Sequence, residues 1–168
     1  GLLLLTNDGQ LVHHVTNKEA STHVHEDPIT KTYEALIMGC HNEDSSIFRQ
    51  LREKGVDIGQ KYGGQTLPVD NIRVLKTRKS TTLVELTIHE GKNRQVRRMF
   101  HTLGSGVMEL RRTRMGEGLN LGILKEGQWR LLSEEEILQE LKWRIRAIND
   151  MDARGNTGRS RRRHLPRN

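Results

Sequence analysis

The stretch 83-LVELTIHEGKNRQVRRMFHTLG-104 changes its repeat halfway along. In its first part Val84, Leu86 and Ile88 alternate with Glu85 and Thr87, the two-residue period of a strand with one face turned inward. From Asn93 onward Val96, Met99, Phe100 and Leu103 recur at i, i+3, i+4 and i+7, which is an amphipathic helix, and Gly104 stops it. The polar faces differ too. Lys92, Arg94, Arg97 and Arg98 crowd the helix start, its sides and its outer face.

Upstream, Ile72–Lys76 pairs with this strand as a hairpin: Ile72 and Val74 share a face, and Thr77–Thr82 is a polar connection. Thr32–Met38 reads as a further strand. Glu43–Lys54 reads as a helix with Ile47, Phe48 and Leu51 on one side and Gly55 as its stop. The segment 60-QKYGGQTLPVD-70 is a loop punctuated by Gly63, Gly64 and Pro68. At the start of the chain, Leu2–Thr6 is expected to be a buried strand closed by Asn7-Asp8-Gly9, and residues 10–16 a short helix with Leu11 and Val15 inward. Downstream, Val107–Met115 is a strand. Ser133-Glu134-Glu135-Glu136 is a capping box opening a helix through Ile137, Leu141 and Ile148. Hairpins outnumber β-α-β units, so the fold class is α+β: a mainly antiparallel sheet with helices packed on it. Residues 1–150 are expected to form one domain, and the Gly/Arg/Ser-rich residues 151–168 a basic, disordered tail.

The 168 residues carry a formal net charge of +7. Residues 154–168 hold six Arg and no acid, so the body is close to neutral and a local basic cluster in it carries more information than the sum. Such a cluster runs from Lys92 to Arg114, with seven Lys/Arg against one acid, Glu109. Solvated helices interleave both signs, so this imbalance favours a polyanion over a merely solubilising face. Cations beside the free amides of a helix start make a phosphate site. Cys40 is the only cysteine, which excludes an internal disulfide and fits a reducing, cytoplasmic setting. No apolar run reaches the length of a membrane span. The opening Leu2–Leu5 lacks the features of a secretory leader, and its abruptness suggests missing upstream sequence.

In order, 1-GLLLLTNDG-9, 31-KTY-33, 90-EGKNRQVRRM-99, 110-LRRTRMG-116 and 129-WRLLSEEE-136 resemble the ribosomal-RNA pseudouridine synthases of the RsuA/RluB type, over roughly residues 1–140. The resemblance implies the pseudouridine synthase fold, in part. It also implies an activity: detaching a uracil from its ribose, turning it and reattaching it through carbon 5, without metal or redox cofactor. It implies Tyr33 as the tyrosine that stacks on the flipped base and helps remove the carbon 5 proton, Arg97 as the basic partner of a nucleophilic Asp, and Leu110 as the apolar residue against the base. Lys92, Arg94, Arg98, Arg111 and Arg112 become contacts to the RNA backbone. The expected partner is RNA, ribosomal first, and the chain is expected to act as a monomer without a membrane. The bland reading of Tyr33 is a core tyrosine.

The family's Asp belongs to a Gly-Arg-Leu-Asp block that would fall about five residues upstream of Gly1. Asp8 cannot replace it, because it matches the Asp of the family's Thr-Asn-Asp-Gly turn. The chain is therefore expected to be inactive alone, either as a piece of an active enzyme or as an inactive remnant of the fold. A non-catalytic RNA-binding or ribosome-assembly module is the alternative. A DNA-binding regulator ranks behind, with no helix-turn-helix or zinc pattern. His13, His14, His23, His25, Cys40 and His41 lack ligand spacing. Gly116, Gly118 and Gly122 read as a tight connection, and Trp129 and Trp143 as core or helix-packing residues.

Overall fold

A computed structural model describes residues 1–16 and 29–143. Helix α1 (Gly9–Thr16) is followed by strand β1 (Lys31–Met38), helix α2 (Ser46–Glu53), a one-turn 3-10 helix (Gln60–Tyr62) and the hairpin β2 (Asn71–Thr77) and β3 (Thr81–Ile88). Helix α3 (Gln95–Thr102), strand β4 (Val107–Met115), the short β5 (Leu119–Asn120) and helix α4 (Glu134–Leu141) complete it. The sheet order is β2-β3-β1-β4-β5, with every pairing antiparallel. The α+β reading holds.

The alternation seen in β3 decides which face is covered. Thr82, Val84, Leu86 and Ile88 are buried, and Ala35, Ile37 and Ile72 join their apolar members against Phe48 and Leu51 of α2 and Val96, Met99 and Phe100 of α3 in one core cluster. The other face carries a charged row in register across four strands: Arg73, Glu85, Glu34 and Arg111. Its outer pairs close at 2.8 Å (Arg73–Glu85) and 3.0 Å (Arg111–Glu34). A second, smaller cluster gathers Leu2, Met115, Leu119 and Leu141, with Leu4, Leu11, Val15 and Trp143 against it.

Several elements depart from the sequence reading. Residues 1–6 are not a strand. Leu2 N donates to the Arg112 carbonyl at 2.7 Å, and Leu2 and Leu4 face the second cluster while Leu3 and Leu5 stay exposed, so the apolar run is covered on one side only and forms no ladder. Helix α2 begins at Ser46 rather than Glu43, because the Glu43 carboxylate is held by Arg52 at 2.8 Å and by Val74 N at 2.5 Å. Trp129 is exposed rather than in the core. Trp143 does pack, beside the His14 ring at 5.0 Å. The capping box forms as expected: Ser133 Oγ accepts from Glu136 N at 3.1 Å, and Glu136 Oε2 accepts from Ser133 N at 2.9 Å. The continuation of this helix to Ile148, the 151–168 tail, His23 and His25 lie outside the described residues. No described helix is long and apolar enough to cross a membrane.

Candidate active site and basic surface

The strand-to-helix joint places the basic residues. Between Ile88 and Gln95 the chain makes a loop around a buried carboxylate. Glu90 Oε1 accepts from Leu67 N at 2.9 Å and from the Gln95 side-chain amide, and Lys92 Nζ stands 3.4 Å from Oε2. Lys92 also donates to the Gln65 carbonyl. Its side chain is only 6 % exposed and that of Glu90 only 7 %, so each charge depends on the other and on these hydrogen bonds to offset desolvation. Gln95 Oε1 closes the loop by accepting from Lys92 N at 2.9 Å.

The sequence reading gave Lys92 to the RNA backbone. The structure turns it inward instead, where it ties this loop to residues 65–67. The signal lay in Glu90, the one acid among the cations of residues 89–100. An acid beside a glycine inside a basic run has a reason to be buried.

Arg94 follows at φ 50°, in the left-handed region that a side chain adopts only at a cost of roughly 1–2 kcal/mol. It is exposed, and its side chain bonds to no described residue. Arg98 sits over the Tyr62 ring, its Cζ 3.1 Å from the centroid, with Lys61 Nζ at 4.8 Å. The cationic groups of Lys61, then of Arg98, beside the Tyr62 phenol hold it below its usual pKa. Tyr62 carried no motif in the sequence, so its partnership with Arg98 was not legible there.

The three residues given catalytic roles stand on three neighbouring elements. Tyr33 and Ala35 share the helix-covered face of β1, where β4 sets Arg112 opposite Tyr33 and Leu110 opposite Ala35. Tyr33 and Leu110 are half-buried against the main core. Arg97 is half-buried on α3, and its Nη1 donates to the Val107 carbonyl at 2.7 Å; Val107 is opposite Ile37. The three therefore form a row along one face, with Arg97 at the Val107 end and Tyr33 at the Arg112 end. Four residues of β1 separate those ends, about 13 Å. Neither the polar cleft lined by Asp70, His89, Gly116 and Glu140 nor the apolar one along Leu2–Leu5 and Leu131 is lined by Tyr33, Arg97 or Leu110.

Arg111 pairs with Glu34 on the charged sheet face. Arg112 Nε donates to the Leu2 carbonyl at 3.0 Å, so it fastens the chain start to β4. Lys31, beside Tyr33 in the KTY motif, is buried, and burial followed by the nearby Arg112 charge lowers its ammonium pKa. No group of three or more His, Cys, Asp and Glu that could hold a metal occurs among the described residues. His14 bonds the Leu141 carbonyl at 2.7 Å, and His41 that of Met38 at 3.0 Å.

The antiparallel sheet, its covering helices and the ordered motifs have a counterpart among known proteins: the RNA pseudouridylate synthase family, whose model matches residues 1–102, and to which the chain belongs. Within it the similarity runs to the ribosomal enzymes of the RsuA/RluB type. The ribosomal large subunit pseudouridine synthase B of Bacillus subtilis is 36% identical over 151 residues, covering 89% of this chain and 54% of that protein. The ribosomal small subunit pseudouridine synthase A of Vibrio cholerae is 38% identical over 138 residues, covering 82% and 52%. A crystal structure of a pseudouridylate synthase superposes with a TM-score of 0.63 at 28% identity, covering 80% of this chain and 51% of that one. The chain spans about half the length of the curated relatives it matches.

Proposed function

We propose that this chain is the part of a pseudouridine synthase that carries Tyr33, Arg97 and Leu110, and that it serves the conversion of a specific uridine in ribosomal RNA to pseudouridine. The nucleophile is the Asp of a Gly-Arg-Leu-Asp block ahead of Gly1. One observation carries the reading. Gly1 and Leu2 run against the backbone of Arg112, and Leu4, further along, packs against the cluster that holds Met115 and Leu119. The chain thus advances along β4 toward Met115. A polypeptide preceding Gly1 and continuing this line backward passes Leu110 and comes beside Val107. Five extended residues cover about 16 Å, the span from Arg112 back to Val107. That is where Arg97 holds its guanidinium.

The chemistry follows from the charges. A carboxylate entering this half-buried site would lose its ionisation to desolvation unless a cation faced it, and Arg97 supplies one that never deprotonates. The Asp carboxylate then attacks ribose C1′, forming an ester as the C1′–N1 bond to uracil breaks. The freed base turns, carbon 5 bonds to C1′ and releases the carboxylate, and the Tyr33 hydroxyl assists removal of the carbon 5 proton while N1 takes up a proton, so the product is an isomer of the substrate. Leu110 packs against the extruded base.

The test is a polypeptide that includes the upstream block, incubated with ribosomal RNA and assayed for pseudouridine. Formation of pseudouridine, and its loss when that Asp becomes Asn, supports the reading. RNA binding without any isomerisation would favour a non-catalytic assembly module.

A further inference from the structure

Arg52, Arg73, Arg111 and Arg130 each pair with an acid, Glu43, Glu85, Glu34 and Glu136 in turn. Lys61, Arg94 and Arg98 form no ion pair with a described residue. Arg98 is nevertheless fixed. It sits over the Tyr62 ring, and its Nε and Nη2 donate to the Asn93 carbonyl and Oδ1 at 3.0 and 3.3 Å. Nη1 is left without a described acceptor.

The loop that delivers Tyr62 and Lys61 is held as firmly. Lys92 bonds Gln65 O, and Glu90 accepts from Leu67 N. Gln65 Nε2 donates to Lys54 O at 2.7 Å, and Thr66 Oγ1 accepts from Val56 N at 2.8 Å. An arginine held in place before it binds suits a phosphate, because its side-chain ordering cost is already met, and Lys61 beside the same ring and Arg94 one helical turn away add further positive charge.

We propose that Lys61, Arg94 and Arg98 form a phosphodiester clamp for single-stranded RNA, with Tyr62 as the positioning residue that holds the Arg98 guanidinium in place. The clamp rests on the reading of this chain as RNA-acting and deepens it: the 59–65 loop, outside every motif of the resemblance, becomes part of the RNA path.

The experiment is a fluorescence-anisotropy titration of the full chain with a labelled oligouridylate across a range of KCl concentrations. Lys61→Ala and Arg98→Ala should each weaken binding several-fold and reduce the slope of log affinity against log salt by about 0.7, the single-strand value for one lost phosphate contact. Tyr62→Ala should weaken binding in the parent but add nothing in an Arg98→Ala background, and Tyr62→Phe should restore parental affinity. Lys61 is exposed, so its variant reports on the clamp even if Tyr62→Ala disturbs the core. Parental affinity and slope for Lys61→Ala and Arg98→Ala would overturn the clamp, as would fully additive losses for Tyr62 and Arg98. If the parent itself did not bind the oligouridylate, the RNA-acting reading would fall with it; neutral variants in a binding parent would remove the clamp alone.

Discussion

Lys92 of the basic motif donates to the carbonyl oxygen of Gln65, twenty-seven residues earlier in the chain. That bond, with the buried Glu90 carboxylate beside it, makes part of a cationic motif into a structural tie. Lys92→Ala is therefore expected to lower the unfolding free energy by about 3–5 kcal/mol, since it strands a carboxylate that is almost fully covered. Arg94→Ala, two residues away on an exposed side chain, should stay within about 0.5 kcal/mol. Chemical denaturation of the two variants checks the contrast; equal losses would refute the inward role of Lys92.

Lys31 is the reverse case, a buried ammonium whose described hydrogen bond is to the Ile29 carbonyl at 3.4 Å. Burial, then the Arg112 charge, lowers its pKa from the usual 10.5. The sign follows. Below the folded pKa the native state holds a charge it disfavours, and that penalty disappears as pH rises toward 10.5. Lys31→Met should stabilise the chain by up to about 1 kcal/mol at neutral pH, with the gain shrinking in alkali. Denaturant midpoints at neutral and alkaline pH measure it.

Glu136 titrates at about 2, held down by Arg130 first and by the Ser133 amide second. Its contribution to the α4 cap is present above the usual carboxylate value of 4.5 and is lost as pH falls through about 2. Arg130→Ala should move the Glu136 titration upward toward 4.5, as read by carboxyl NMR, while Ser133→Ala should cost about 1 kcal/mol at neutral pH. An unchanged Glu136 titration in Arg130→Ala would contradict the assignment.

Gly116 has φ 63°, and a Cβ there would lie 2.2 Å from the Glu140 carbonyl oxygen. Gly116→Ala has both a backbone penalty and a clash with main chain that cannot rotate away. A loss above about 2 kcal/mol in thermal or denaturant unfolding is expected.

The fold was legible where burial imposed a period. The alternation of Val84, Leu86 and Ile88 and the spacing of Val96, Met99, Phe100 and Leu103 record one covered face each, so β3 and α3 emerge from the chain unaided. Leu2–Leu5 misled because an apolar run signals burial without saying which residues are covered; here Leu2 and Leu4 pack inward while Leu3 and Leu5 face solvent. Trp129 failed for the same reason. Tyr33, Arg97 and Leu110 were proposed from motifs, and their alignment along one sheet face needed the register of β1 with β4. The tasks of Lys92 and Tyr62 were hidden because both depend on contacts between segments far apart in sequence, and periodicity within either segment does not record them.

The most direct test of the central claim concerns Arg97, in a polypeptide that includes the upstream Gly-Arg-Leu-Asp block. Pseudouridine formation and RNA affinity are measured in parallel for the parent and for Arg97→Ala. Loss of turnover by roughly a hundred-fold or more, with affinity changed only a few-fold, is the predicted pattern of a residue acting on the reacting carboxylate. Parental turnover in Arg97→Ala would contradict the account.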